Sequence, residues 1–150
     1  MDRVSFVQQK QEEARAFFLQ GHNCSQSVLL AFSDLTGLDA ETSVKVGAGL
    51  GGGVSRMREV CGAVSAMAVV CGFVGHESTY ALVQQLASEF SSRNGSVVCR
   101  ELLALRTSGW QSPERSVRTP EFYSSRPCER LVMDSAGIIA GYLYDNKIKP

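Results

Sequence analysis

Apolar residues recur at helical spacing through most of the chain, and few runs alternate with the two-residue period of a strand. Over residues 4–20, Val4, Val7, Ala14, Phe17 and Phe18 fall on one side, with Gln8, Lys10, Gln11, Glu12, Glu13 and Arg15 mostly opposite. Gly21-His22-Asn23 interrupts this helix, and Asn23 is a natural N-cap for a second, from Cys24 to about Thr36. Val28, Leu29, Ala31, Phe32 and Leu35 form its core face, and Gly37 supplies a stop. Asp39–Thr42 predicts a short helix with acidic residues in its first turn, where the dipole favours them. It runs into Gly47-Ala48-Gly49-Leu50-Gly51-Gly52-Gly53, whose five glycines in seven positions predict a loop or a broken helix end.

Cys61 to about Val74 reads as a buried central helix. Its uncharged stretch, Val60 to His76, falls short of the ~18–20 apolar residues that a bilayer span requires. Further helices are predicted from Thr79 to about Ser92, from Val97 to about Leu105, and from about Pro127 to Tyr144, with a frayed tail over Asp145–Pro150. Residues 107–127 differ: polar, rich in Arg and Ser, with Pro113, Pro120, Pro127 and the only tryptophan, Trp110. Too little chain follows for a second domain, so this segment reads as an excursion from one domain spanning 1–150. The expected fold is all-α, a single-domain bundle of about six helices with a glycine-rich loop before the central one.

Charge removes one class of function. Fifteen basic and fifteen acidic residues cancel, and no basic stripe with interleaved aromatics marks a nucleic-acid partner. The opening Met1-Asp2-Arg3-Val4 runs straight into an amphipathic pattern with no signal peptide, which points to the cytoplasm. In that compartment five cysteines, an odd number at long spacings, argue against a structural disulfide framework.

The placement of the cysteines is more telling. Cys24, Cys61, Cys99 and Cys128 each fall at an expected helix start, where unpaired backbone N–H groups and the positive end of the dipole favour thiolate over thiol. Arg56 and Arg58 before Cys61, Arg100 after Cys99, and Arg126 and Arg130 around Cys128 add positive charge. Gaps of 37, 38 and 29 residues mean that only tertiary folding could bring the four together. Cys71, inside Ala68-Val69-Val70-Cys71-Gly72-Phe73, reads instead as a small core hydrophobe.

Other chemistries find little support. Gly47, Gly49 and Gly52 satisfy G-x-G-x-x-G, but no strand precedes them and no βαβ unit follows, so no nucleotide site is expected. His22 and His76 are the only histidines, which excludes a His-rich metal site; no G-x-S-x-G elbow and no C-x-x-C-H haem attachment occur. The small residues Gly62, Ala63, Ser65, Ala66 and Ala68 make a smooth helix face for close packing.

The succession Asn23-Cys24-Ser25-Gln26-Ser27-Val28-Leu29, Gly49-Leu50-Gly51-Gly52-Gly53, Cys61-Gly62-Ala63, Cys99-Arg100-Glu101-Leu102 and Cys128 resembles the C-GCAxxG-C-C family of redox-active proteins, over about residues 10–140. The family's four characteristic cysteines map onto Cys24, Cys61, Cys99 and Cys128, and Ala66 stands where its motif ends in glycine. The resemblance implies a small helical protein with redox or metal-cluster chemistry at its cysteines. A related domain occurs in multi-haem cytochromes that carry an iron–sulfur centre; without a haem site, only the cluster could transfer.

These observations leave three readings. Cys24, Cys61, Cys99 and Cys128 converge to bind an iron–sulfur cluster or another thiolate-bound metal, with backbone at Gly51, Gly52, Gly53 and Gly62 passing close and donating N–H groups. Alternatively, the same sulfurs cycle between thiol and disulfide. Either would make the chain an oxidoreductase or an electron-transfer protein with a redox partner. The third reading is a non-catalytic helical module, its cysteines buried and its small-residue helix and glycine loop forming a homo-oligomer interface.

Overall fold

The computed structural model describes residues 1–150 as ten helical segments joined by loops: α1 (Arg3–Leu19), α2 (Cys24–Ala31), α3 (Ser33–Thr36), α4 (Ala40–Gly47), α5 (Gly51–Val54), α6 (Gly62–Gly72), α7 (Thr79–Asn94), α8 (Cys99–Leu102), α9 (Pro120–Ser125) and α10 (Cys128–Asp145). Six of these run to eight residues or more, and four are single turns or little longer. The fold is all-α. No strand forms, and the one β-type pairing is an isolated antiparallel bridge between Val60 and Val98. No helix is long and apolar enough to cross a membrane.

Local chemistry accounts for most boundaries. Asp2, Asn23, Asp39, Ser78 and Thr119 each accept a backbone N–H at a helix start, and Gly37 and Gly95 end α3 and α7 in the left-handed region. Helix α10 lies along α1, while α6 runs through the middle against α2, α7 and α10. Phe32, Phe90, Leu29, Met67, Leu82, Ile139 and Leu143 are fully buried between them, each contributing about 1.5–3 kcal/mol of burial. Cys71 is in this core too, 1 % exposed.

Several elements differ from the sequence pattern, for reasons that lie far along the chain. The second helix does not reach Thr36 unbroken: it stops at Ala31, and Phe32 (φ −112, ψ 21) makes a joint before α3. The released Ala31 carbonyl accepts from Lys10 Nζ at 2.7 Å. Lys10, expected on the polar face of α1, is therefore buried, and its charge is met by Asp34 at 2.8 Å and Glu13 at 3.3 Å. Val4, expected on the apolar face, is exposed. The helix expected at Asp39–Thr42 extends to Gly47.

The helix expected over Val97–Leu105 shrinks to one turn. Val98 is held extended (φ −93, ψ 123), flanked by Val97 O accepting from Cys61 N at 2.8 Å and Cys99 N donating to Glu59 O at 2.6 Å. The tail is less frayed than its composition implies, since Ile148 N bonds to Leu143 O and its side chain packs on the core.

Candidate functional site

Asn23 organises one side of the site. Its side chain accepts from Gln26 N, Gln26 returns the bond to Asn23 N, and Asn23 Nδ2 donates to the carbonyls of Gly47 and Ala48 at 3.1 and 3.3 Å. One residue thus caps α2 and fastens the glycine loop beside it, leaving Cys24 as the first helical residue.

Helix α6 approaches from the other side. Cys61 is its N-cap, and the next residue, Gly62, meets the start of α2 so closely that a Cβ there would lie 2.6 Å from both Cys24 Sγ and Ser25 Oγ. Only glycine permits this approach. Ser25 Oγ secures it by donating to Gly62 O at 2.8 Å, fully buried.

The two cysteines therefore share a proton environment. Hydrogen bonding from the Cys61 thiol, and from the N–H groups of Gly52, Ser25 and Cys24 itself, favours negative charge on the Cys24 sulfur. Together they outweigh burial and pull the Cys24 thiol down to about 6. Cys61 moves the opposite way, well above its ordinary value, because its hydrogen is committed to Cys24, it is buried, and the neighbouring thiolate repels a second charge. Gly52 contributes through a left-handed conformation (φ +70), part of a run in which Gly53, Val54, Ser55 and Arg56 also have positive φ.

Cys99 and Cys128 complete the wall of the same cavity, which has a volume of about 490 Å³. Burial raises Cys99, partly countered by Arg58, whose Nη1 donates to Cys99 Sγ at 3.4 Å. Burial likewise pushes Cys128 up to about 12 and Cys71 up to about 11. A helix start alone does not make a thiolate here, and Cys24 is the one thiol held well below the usual range.

A family model described as "Putative redox-active protein (C_GCAxxG_C_C)" matches residues 22–142. The chain belongs to that family. No curated protein and no solved structure matches it. The stretch matched to the C_GCAxxG_C_C model contains all four cavity cysteines, the glycine loop, the excursion and most of α10.

Of the glycines singled out in the sequence, Gly51, Gly52 and Gly62 line the cavity. Gly53 does not; it lies behind, where a Cβ would meet Cys99 Cβ at 2.6 Å. Ala66 is fully buried in the core. The four cysteines share a cavity without forming a ligand cage: no group of three or more His, Cys, Asp or Glu side chains is placed to hold a metal ion. As placed, the four sulfurs do not make the ligand set of a bound metal or cluster.

Residues 107–127 close the cavity. Pro113, Arg115, Ser116, Arg118, Phe122 and Arg126 all line it. Arg118 fastens the segment to the end of α1, donating to the carbonyls of Phe18 and His22 at 2.9 and 2.8 Å while its guanidinium lies 4.3 Å from the centre of the Phe18 ring. Arg115 and Arg118 escaped the sequence reading. The available signal was weak: three arginines against two glutamates in residues 107–127, far from any cysteine but Cys128.

Proposed function

We propose that the protein is a thiol–disulfide redox protein in which Cys24 attacks and Cys61 resolves. The observation that carries this reading is the close approach of the Cys61–Gly62 helix start to Cys24 Sγ at the edge of a cavity of about 490 Å³, with the Cys24 thiol drawn down to about 6 by its hydrogen-bonding surroundings.

The chemistry balances on these two residues and a substrate disulfide. The Cys24 thiolate attacks one sulfur, the substrate S–S bond breaks, and one half leaves as a thiolate, giving a mixed disulfide at Cys24. With Cys24 neutral, the largest influence holding up Cys61 disappears, leaving burial. Cys61 gives up its proton to the departing thiolate and attacks Cys24 Sγ. The second half leaves as a thiolate, and the protein holds a Cys24–Cys61 disulfide. Two electrons have passed to the substrate, and an external dithiol restores the pair. The helical-module reading gives no reason for four donors to converge on one sulfur.

The test uses reduced protein, an excess of a small disulfide, and mass spectrometry of the digested product. The expected product is a Cys24–Cys61 disulfide, with Cys61→Ser trapping the mixed disulfide on Cys24. Adducts spread across Cys99 and Cys128, or stoichiometric iron and sulfide that require those two residues in anaerobically purified protein, would overturn it.

A further inference from the structure

The cavity that holds Cys24 is lined by five of the chain's eleven arginines, Arg56, Arg58, Arg115, Arg118 and Arg126, and by no aspartate or glutamate. None of the five forms an ion pair; the chain's salt bridges fall to Arg3, Lys10, Arg15, Lys45 and Arg93. In a chain of zero formal net charge, this is a local concentration of positive charge around Cys24, with Glu114 the carboxylate that acts on Arg56 from outside the lining.

Some of it has structural work. Arg115 and Arg118 cap carbonyls near the end of α1, and Arg56 holds the excursion through Ser112 O at 2.6 Å and Ser116 Oγ at 2.9 Å. The acceptors of these bonds are all uncharged. Arg58 goes further. Its side chain is buried, Nε donates to Gln111 Oε1 at 2.8 Å, Nη1 faces Cys99, and Nη2 is buried with no partner. A buried guanidinium nitrogen without a partner is costly, the more so on a charged group.

The backbone that carries it is costly as well. Val54, Ser55, Arg56 and Arg58 all have positive φ, a left-handed conformation that is strained for every L-residue. Arg56 and Arg58 both reach the cavity from this strained turn. A cavity of about 490 Å³ also has the size of a small-molecule site.

We propose that the substrate is a small disulfide bearing carboxylate or a similar oxyanion, whose anionic end is held by Arg58 and Arg56 while its sulfur meets Cys24. This rests on the thiol–disulfide reading above. Its logic is electrostatic. A bare thiolate repels an anionic disulfide, so only the arginine lining can reverse that preference.

A matched series of aliphatic disulfides separates the two claims: dithiodipropionate, hydroxyethyl disulfide and cystamine, which are dianionic, neutral and dicationic. The readout is the rate of Cys24–Cys61 disulfide formation, divided by the rate of each reagent with an uncharged free thiol. The expected normalised order is anion, neutral, cation, spanning about 100-fold at low salt and narrowing as salt rises. Arg58→Gln should slow dithiodipropionate about tenfold relative to hydroxyethyl disulfide. Arg126→Gln, which changes a cavity arginine outside the strained turn, should compress the same ratio without altering the product. A normalised series that is flat, or favours cystamine, overturns the anionic substrate while leaving the dithiol intact. Failure of hydroxyethyl disulfide to oxidise the pair would instead remove the dithiol reading beneath it.

Discussion

The starts of α2 and α10 make a natural pair. Each places a cysteine at the first helical residue, each lines the same cavity, and each lies near cationic side chains, yet Cys24 is drawn down to about 6 and Cys128 is pushed up to about 12. Magnitudes explain the split. A helix dipole contributes about 0.3–1 kcal/mol, less than the ~1.4 kcal/mol that moves a pKa by one unit. Burial can raise a thiol by several units. At Cys128 burial dominates, the charge on Cys24 adds to it, and Arg126 and Arg58 only soften the rise. At Cys24 the Cys61 S–H and three backbone N–H groups act on one sulfur and reverse the balance. Direct hydrogen bonds, not the helix start itself, distinguish the two.

The largest break in this comparison should come from Gly62→Ala. The added Cβ would sit 2.6 Å from Cys24 Sγ and 3.0 Å from Leu50 O, so α2 and α6 must part. Urea unfolding should show a loss of about 1–3 kcal/mol, and Cys24 should behave like an ordinary buried thiol. Cys61→Ala leaves the helices in place and removes the strongest donor. Iodoacetamide labelling of Cys24 near neutral pH should fall by about one to two orders of magnitude.

Stability should carry the same signature. Because Cys24 is depressed from 9.0 to about 6, its contribution is full above pH 9 and drains away as pH falls through 6. Cys61, Cys71, Cys99 and Cys128 are raised, so above pH 9 the unfolded chain loses protons that the folded one keeps, and stability falls there. Chemical denaturation followed by circular dichroism should therefore give a maximum near the ordinary thiol value, and Cys24→Ser should flatten its acid side. Asn23→Ala, which removes the cap and the loop tether, should cost about 1 kcal/mol in the same assay. Cys128→Ala should leave the pH profile of Cys24 labelling almost unmoved.

The helical architecture was legible wherever its signals were local. Asn23, Asp39 and Gly37 mark boundaries by their own chemistry, and four cysteines stand at helix starts as their neighbours indicate. The missed features depended on distant partners. Lys10 is polar in any window, but Asp34 and the Ala31 carbonyl draw it inside. Val97–Leu105 has helical spacing, but Glu59 and Cys61 hold its start extended. Thiol acidity was the least legible: Cys24 depends on Gly52 and Cys61, and nothing beside Cys128 in sequence declares its burial. The arginine lining was equally hidden, because Arg115 and Arg118 reach the cavity only once residues 107–127 fold over α1.

The most direct measurement is site-resolved iodoacetamide labelling of all five cysteines, by mass spectrometry, between about pH 5 and about pH 9. The account predicts that Cys24 alone labels rapidly, with a midpoint near 6, while Cys61, Cys71, Cys99 and Cys128 stay slow throughout. Cys24 and Cys128 titrating together, or Cys24 turning reactive only near 9, would contradict it.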